Sequence, residues 1–234
     1  LKKQLRPIIN MISVKQRLKV PAPKKPSPPG TTARSATEQL LSSADDIQNR
    51  MKAIMSSKAS RIDIVAIGIS TGGPNALSKM IPMLPASFRV PIVIVQHMPP
   101  VFTSALADSL SKRSSLKIVE GADGMLLEAG MVYIAPGGKQ MKLEDDSASK
   151  RVKIEITDAP PENNCKPSAD YLFRSVAKIY KGNALGVIMT GMGNDGTKGL
   201  VVMKKLGAKV IAQDEQTSTV FGMPMEAIKA GVAD

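Results

Sequence analysis

The sequence reads Asp63-Ile-Val-Ala-Ile-Gly-Ile-Ser-Thr-Gly-Gly-Pro74 where its first regular pattern begins. Residues 64–67 form an apolar run between a charge and a glycine, which is typical of a fully buried strand in a parallel sheet. The segment Gly68-Ile-Ser-Thr-Gly72 has the G-x-S-x-G spacing of a nucleophile elbow. Because a first helical turn tolerates proline, Pro74 indicates that a helix begins beside it. The stretch therefore predicts Ser70 on a sharp turn between a strand and a helix, with its hydroxyl facing a crevice.

A second interpretation of this stretch stays open. The turn Gly68–Gly73 is rich in glycine, and the backbone N–H groups of such a turn can bind a phosphate or a nucleotide. A five-residue pattern alone does not separate a serine nucleophile from a phosphate-binding regulatory module. No lysine and no acidic ribose-binding residue stands at the expected fingerprint spacing, which weakens the nucleotide interpretation.

Strands and helices alternate from residue 62 onward. Strands are predicted over residues 64–67, 91–95, 116–119, 131–135, 184–189 and 209–212. Helices are predicted over residues 75–83, 101–111, 170–180, 198–206 and 225–230. Residues 141–143 and 152–156 suggest a hairpin. This pattern predicts an α/β fold, with a doubly wound, mainly parallel sheet flanked by helices and a β-hairpin insertion.

The basic charge of the chain is concentrated in its N-terminal segment. Residues 1–61 carry +10 of the net +12, from 13 lysines and arginines and 3 acidic residues, and the remainder carries +2. Aromatic residues make up only 3% of the chain, which argues against a base-stacking surface, so we expect no nucleic-acid partner. No apolar run approaches the ~20 residues of a membrane span, so we expect no direct insertion into a membrane.

Composition also divides the chain at about residue 60. Prolines and lysines dominate residues 20–36, and such a composition cannot form a core, so residues 1–60 are predicted to be largely a flexible, basic linker. A short polar helix is predicted within it, over Thr37–Met55. The chain is 43% hydrophobic, which suffices for one packed α/β domain, and we place that domain at residues 61–234.

The chain holds a single cysteine, Cys165, and a single histidine, His97. One cysteine excludes an intrachain disulfide and suits a reducing cytosol, so we expect a cytoplasmic protein. These two residues make a structural zinc site implausible, and we expect no metal and no cofactor, although carboxylates alone remain possible ligands. The pair Asp214–Glu215 is the candidate for such ligands, but we interpret it as a solvated or hydrogen-bonded loop.

Three polar residues follow apolar strands at one edge of the predicted sheet: Ser70, His97 and Asp195. Active sites of such sheets form at the carboxyl ends of their strands. If Ser70 uses an imidazole base, that base is His97, and a carboxylate such as Asp195 would orient it. Each residue alone fits an ordinary strand end or turn, but their convergence favours a triad. Cys165 is an alternative nucleophile, and because it lies in a polar stretch without a strand–turn context we interpret it as an incidental thiol.

Six segments of this sequence stand in the order of a known family. They are Gly68-Ile-Ser-Thr-Gly-Gly-Pro74, Val95-Gln-His-Met-Pro99, Tyr133-Ile-Ala-Pro-Gly137, Thr190-Gly-Met-Gly-Asn-Asp-Gly196, Ala212-Gln-Asp-Glu215 and Val220-Phe-Gly-Met-Pro224. Together they closely resemble the catalytic domain of the chemotaxis protein-glutamate methylesterase, and the resemblance covers residues 62–234. The order Ser…His…Asp differs from that of the α/β-hydrolases, which disfavours that superfamily.

The resemblance implies a reaction and a set of residues. The family hydrolyses γ-glutamyl methyl esters on the helical bundles of chemoreceptors, and some members deamidate receptor glutamines. Ser70, His97 and Asp195 fall on its triad, and Thr71 and the backbone of Met192 fall where it supports the site and the oxyanion.

The resemblance also implies a regulator. In the family, an N-terminal receiver domain covers the crevice until it is phosphorylated. Residues 1–19 resemble the end of the last helix of that receiver, whose phosphorylated aspartate this chain lacks. The family usually extends slightly past Asp234. Gln140 stands where the family often has histidine, and Cys165 stands near another such position, so contacts of the substrate loops are expected to differ here.

Overall fold

The structure, a computed structural model, describes residues 61–234. The predicted polar helix Thr37–Met55, the linker and the expected end of a receiver helix in residues 1–19 all lie outside the described residues. Within residues 61–234, no helix is both long enough and apolar enough to cross a membrane.

Six parallel strands form the main sheet. Their bounds are Ile64–Ile69 (β1), Ile92–Gln96 (β2), Lys117–Glu120 (β3), Met131–Ile134 (β4), Ala184–Ile188 (β7) and Lys209–Ala212 (β8). Across the sheet they stand in the order β3-β4-β2-β1-β7-β8. The chain moves from β1 to one side of the sheet and later returns to the other side through β7. A crevice is expected where the direction reverses, at the carboxyl ends of β1, β2 and β7.

Five helices cover the two faces of this sheet. Their bounds are Gly73–Met80 (α1), Phe102–Ser111 (α2), Ala169–Tyr180 (α3), Thr197–Lys205 (α4) and Met223–Lys229 (α5). The predicted helix over residues 75–83 ends as α helix at Met80 and continues as a 3₁₀ turn, Ile81–Met83. Pro82 explains this change, because it has no N–H to donate to the preceding turn.

The core is divided into two layers by the sheet. One layer packs β1 and β2 against α1 and α2, with Leu77 and Leu110 fully or almost fully buried. The other layer holds α3, α4, α5 and a hairpin, with Phe173 and Met203 fully buried. Since β1 and β2 are buried on both faces, they read as continuous apolar runs, which is why the sequence marked them as central strands.

The predicted hairpin is confirmed as a separate two-stranded antiparallel sheet, Gln140–Asp146 (β5) with Arg151–Thr157 (β6). It packs on α3 through Met141, Leu143 and Ile154. After β6 the chain crosses a loop, residues 158–168, before α3 begins. This loop, called the acid loop below, returns to the carboxyl edge of the main sheet.

Candidate active site

Ser70 follows β1 directly and lies on a sharp turn. Its N–H donates to the carbonyl of Thr190 (2.9 Å), and its own carbonyl accepts from the N–H of Gly73 (2.7 Å). Gly72 completes the turn with a φ of 81°, a backbone conformation that residues with a side chain rarely adopt. The predicted strand–turn–helix setting of the elbow is therefore present. Within residues 61–234, the Ser70 hydroxyl makes no hydrogen bond.

The two glycines of this turn serve close packing of the protein against itself. A Cβ on Gly73 would lie 1.8 Å from Oε1 of Gln96, and one on Gly72 would lie 2.4 Å from Oγ1 of Thr219. Side chains of the protein thus occupy the space that the missing Cβ atoms leave. The glycines are explained without a bound phosphate, and the phosphate-binding interpretation loses the observation that motivated it.

His97 lies beside Ser70 at the end of the neighbouring strand. Ile69 of β1 is in register with Gln96 of β2, and the N–H of His97 donates to the carbonyl of Ile69 (3.1 Å). Ile69 belongs to the core layer of α1, and Val95 belongs to the layer of α3. Because side chains alternate along a strand, this register turns Ser70 and His97 toward the same layer, that of α3.

Gln96 ties the two strand ends together from the opposite face. Its Nε2 donates to the carbonyl of Ser70 (3.0 Å) and to the carbonyl of His97 (3.2 Å). The side chain is 1% exposed, and its Oε1 has no partner among the described residues. Sequence reasoning did not single out this residue, although it stands inside a motif that was quoted.

Asp195 meets His97 directly. Nε2 of His97 lies 2.8 Å from Oδ2 of Asp195, and the two side chains are 15% and 2% exposed. Asp195 sits in the turn between β7 and α4, which places it at the same sheet edge as Ser70. The expected convergence of the three residues on one edge is therefore observed.

Four further donors surround the Asp195 carboxylate. Oδ1 accepts from Oγ of Ser168 (2.7 Å), from Nδ2 of Asn163 (2.9 Å) and from the N–H of Asp170 (3.2 Å). Oδ2 accepts from the N–H of Ala169 (2.6 Å) as well as from His97. The backbone donors belong to the start of α3, so the helix dipole also favours the negative charge.

Ser168 contacts the Asp195 carboxylate, and its hydrogen bonds disfavour it as the nucleophile. It is fully buried and caps α3, where its Oγ accepts from the N–H of Tyr171. Its hydroxyl proton is donated to Asp195, away from the imidazole. Ser70 therefore remains the candidate nucleophile.

The pKa values of the pair move in opposite directions. Burial alone would lower the pKa of His97, but hydrogen bonds with Asp195 and then Cys165 outweigh it and raise that pKa to about 9. Burial would raise the pKa of Asp195, but its hydrogen bonds with His97, Ser168 and Ala169 lower it to about 2. The resting pair is thus an imidazolium beside a carboxylate.

Cys165 is a partner of the imidazole, and its interpretation as an incidental thiol does not fit its position. Its Sγ lies 3.7 Å from Nδ1 of His97 and can also donate to the carbonyl of Asn163 (3.4 Å). Nothing in the sequence indicated that the acid loop returns to the sheet edge, and this return is what brings Cys165 to His97.

Cys165, His97 and Asp195 form the one group within residues 61–234 whose ligand atoms, all within 4.8 Å of one another, could hold a metal ion. Two of these atoms already share a direct 2.8 Å hydrogen bond. The contacts of the group are therefore explained without an ion.

Gln140, the other departure from the family pattern, is buried and braces the acid loop. Its Nε2 donates to the carbonyls of Pro160 (3.1 Å) and Cys165 (3.3 Å), and its Oε1 accepts from the N–H of Ser168 (2.8 Å). Gln140 therefore holds the loop that carries partners of Asp195. The two residues that depart from the family pattern, Gln140 and Cys165, contact each other directly.

The turn after β7 packs closely on Ser70. A Cβ on Gly191 would lie 2.8 Å from Cβ of Ser70, so only glycine permits this approach. Met192 follows and is 75% exposed. Thr71 is exposed, and its carbonyl accepts from Oγ1 of Thr190 (2.8 Å). Thr71 and Met192 thus follow, in the chain, two residues that pack against each other, Ser70 and Gly191.

The loop pair Asp214–Glu215 makes hydrogen bonds within its own turn. Oδ1 of Asp214 accepts from the N–H of Thr217 (2.8 Å), as expected for a hydrogen-bonded turn. The neighbouring Gln213 is buried, and its Oε1 accepts from the N–H of Thr190 (2.8 Å). Sequence reasoning missed this residue, which braces the turn beside Ser70.

Comparisons with known proteins agree with this architecture. The family model described as CheB methylesterase matches residues 65–234. A protein-glutamate methylesterase/protein-glutamine glutaminase of Desulfotalea psychrophila is 54% identical over 177 residues, which are 76% of this chain and 49% of that protein. The Bacillus subtilis protein of the same name is 49% identical over 170 residues, 72% of this chain and 47% of its own length. The chain therefore spans about half the length of these two relatives.

A solved structure supports the fold. The crystal structure of the Thermotoga maritima CheB methylesterase catalytic domain matches with a TM-score of 0.72 and 45% identity, covering 74% of this chain and 90% of that one. The predicted α/β fold with a mainly parallel sheet and a hairpin is confirmed by this match and by the observed strand order.

Proposed function

This chain belongs to the CheB methylesterase family, and from that membership we propose that it is a serine esterase that removes methyl esters from glutamyl side chains of chemoreceptors. The observation that carries the proposal is the contact of Asp195 with His97 at the sheet edge where Ser70 follows β1. We assign this activity to residues 61–234 and place it in the cytoplasm, where the helical bundles of methylated receptors would be the substrate.

In the proposed reaction, Ser70 is the nucleophile. Its oxygen attacks the ester carbonyl while His97 takes the hydroxyl proton. The tetrahedral intermediate collapses as His97 returns that proton to the departing methoxide, which leaves as methanol. Water then attacks the acyl-enzyme with His97 again as the base, and glutamate and the free Ser70 hydroxyl result. Atoms and protons balance over the two half-reactions.

The imidazole has a defined orientation in this mechanism. Since Nε2 of His97 faces Asp195 (2.8 Å), Nε2 carries the hydrogen that is donated to the carboxylate, and the proton from Ser70 goes to Nδ1. The Asp195 carboxylate stabilises the imidazolium that forms. Against the effect of burial, its hydrogen-bond donors lower its pKa to about 2 and so keep it ionised.

Two backbone N–H groups are the proposed oxyanion donors, those of Thr71 and Met192. Neither group has an acceptor among the described residues; Thr71 follows Ser70, and Met192 follows Gly191, which packs on Ser70. A donor of this kind is typically worth ~3 kcal/mol in the transition state. The close approach of Gly191 to Ser70 supports the role of Met192.

The same acyl-enzyme route accounts for a second activity that the relatives carry in their names. Attack of Ser70 on a glutamine side-chain amide would release ammonia in place of methanol, and hydrolysis would again give glutamate. We propose that this chain also deamidates receptor glutamines, with the same three residues.

We further propose that a receiver domain regulates the site in the longer protein. Residues 1–19 resemble the end of a receiver helix, and residues 20–60 are proline-rich and basic, as in a linker. The linker offers little apolar surface with which to cover a crevice. We therefore assign the inhibitory contact to the receiver, and residues 1–60 to its connection with the catalytic domain.

The proposed function is tested with Ser70→Ala. Loss of a triad nucleophile typically lowers turnover by about 10⁶-fold without unfolding the domain. Methanol release from methylated receptor is measured for the wild type and the variant, and ammonia release from the glutamine form is measured in parallel. Both should fall together.

Ser78→Ala is the matched control. Ser78 lies on α1, and its Oγ donates to the carbonyl of Asn75 (2.9 Å), so its loss should leave both rates unchanged. Methanol release by Ser70→Ala at the wild-type rate would refute the mechanism. Tight binding of a nucleotide that Ser70→Ala leaves intact, together with no ester hydrolysis by the wild type, would favour the phosphate-binding alternative.

A further inference from the structure

The acid loop presents an unusual side chain to the Asp195 carboxylate. Glu162 and Cys165 exchange both backbone hydrogen bonds (3.1 and 2.8 Å) and close a tight turn around Asn163 and Asn164. Both asparagines have a positive φ, 50° and 59°, as in the hairpin turns that favour asparagine. The positive φ thus explains why asparagine suits both positions, but the two side chains lie in different surroundings. Asn164 is exposed, whereas that of Asn163 points into the site.

The amide of Asn163 joins two buried carboxylates. One hydrogen of Nδ2 goes to Oδ1 of Asp195 (2.9 Å), and the other goes to Oδ2 of Asp170 (2.8 Å). Asp170 is fully buried in α3, and its Oδ1 accepts from the N–H of Gly199 (2.6 Å). The side chain of Asn163 is therefore held from one carboxylate while it donates to the other.

We infer that Asn163 is a positioning residue for the triad: its amide, anchored on Asp170, holds the Asp195 carboxylate with Oδ2 toward His97. The inference rests on the proposed function for its catalytic meaning and adds a residue that the triad itself does not include. Oδ1 is fully used by Asn163, Ser168 and the N–H of Asp170, so Oδ2 is the oxygen left for the imidazole.

Loss of the Asn163 donor should shift the titration of His97 in a defined direction, which can be measured. A carboxylate with fewer hydrogen bonds is a stronger partner for a cation, so the imidazolium of His97 would be favoured. The His97 titration and the acid limb of the pH–rate profile would both move to higher pH. Burial, the main cause, and the nearby Asp195 charge raise the pKa of Asp170, against hydrogen bonds from Gly199 and Asn163. The titratable and charged groups that face the amide from all packed elements are His97, Asp195, Asp170, Arg174, Glu162 and Cys165.

The test compares Asn163→Gly with Asn164→Gly. Glycine adopts the positive φ of both positions without strain, so the two variants keep the turn and differ only in the lost amide. His97 is the only histidine of the chain, so its ring proton gives a single NMR signal that titrates independently of any enzyme assay. Asn163→Gly should move that titration upward by about one pH unit and lower kcat/KM at neutral pH by about tenfold. KM should change little, and Asn164→Gly should match the wild type.

Two more variants separate positioning from simple anchoring of the loop. Asp170→Asn keeps one side-chain oxygen that can accept from Asn163 but removes one nearby negative charge, so it should not raise the His97 titration. Asn163→Ser restores one donor and should show a smaller upward shift of the His97 titration than Asn163→Gly. The serine variant also replaces Asn163→Gly in the test if the glycine variant is too unstable to measure. Identical titrations for Asn163→Gly and Asn164→Gly would overturn the inference. So would an upward shift in Asp170→Asn as large as in Asn163→Gly.

The outcome also separates this inference from the proposed function. An upward NMR shift in Asn163→Gly, with no methanol release by the wild type, would keep the positioning role and remove the esterase. Methanol release by the wild type, with no shift in Asn163→Gly, would keep the esterase and remove the positioning role.

Discussion

Replacing Cys165 by alanine tests how the proposed base is tuned. The thiol lies 3.7 Å from Nδ1 of His97, the nitrogen that we assign to the proton of Ser70. With burial acting to lower it, the pKa of His97 is raised to about 9 by Asp195 and then by Cys165. A protonated imidazole accepts no proton, so at pH ~7, about two units below that pKa, only about one molecule in 100 holds the active form.

The size of the effect follows from the contact that is lost. A hydrogen bond with a charged partner contributes about 1.5 kcal/mol, which corresponds to about one pH unit. Alanine leaves the Asp195 contact in place, so the acid limb of the pH–rate profile should move to lower pH by about one unit. Near pH ~7, kcat/KM should therefore rise by at most about tenfold, since a weaker base also transfers the proton less readily. Above pH ~10 the imidazole is neutral in both proteins, and the two rates should converge.

The assay is kcat/KM for methanol release between pH ~6 and ~10, together with the NMR titration of His97 in the same buffers. Cys165→Ser is the matched control, because serine keeps a small polar group beside Nδ1 whose oxygen can still accept a hydrogen bond from the imidazolium; it should therefore move the profile less than alanine does. A Cys165→Ala profile that superimposes on that of the wild type would refute the reasoning. A loss of rate by the same factor at every pH would equally refute it, since it would assign the thiol to packing.

Two further outcomes are expected. The pKa of Asp195, lowered to about 2 by its hydrogen bonds against the effect of burial, means that its carboxylate stabilises the fold above the unfolded pKa of ~3.9 and loses this contribution as the pH falls through about 2. Urea unfolding should therefore show ~2 kcal/mol less stability at pH ~2 than at pH ~5 from this group, and Asp195→Ser should lack that part of the difference. For regulation, a small-molecule phosphodonor should leave the esterase rate of this chain unchanged, and removal of residues 1–58 should change it little. A large gain on that removal, especially one abolished by salt, would assign inhibition to the linker instead.

The elements of the fold and the setting of Ser70 could be predicted from the sequence because their causes are local. The apolar run before Gly68 and the residues Gly72 to Pro74 specify a buried strand, a sharp turn and a helix among near neighbours in the chain. The same patterns placed His97 and Asp195 after strands, and a parallel sheet brings such positions to one edge. Boundaries differed by up to three residues, as at Met80, where the missing N–H of Pro82 changes the helix type.

The partners of each side chain were decided by the tertiary structure alone. Oδ1 of Asp195 takes donors from Asn163 and Ser168, which stand 32 and 27 positions away in the chain, and only the packing of α3 beside β7 brings them together. Which nitrogen of His97 faces Asp195, and that Cys165 lies at the other one, depends on how the acid loop closes over the sheet edge. Such hydrogen bonds join atoms that are close only in the folded state, so no spacing of residues along the chain encodes them.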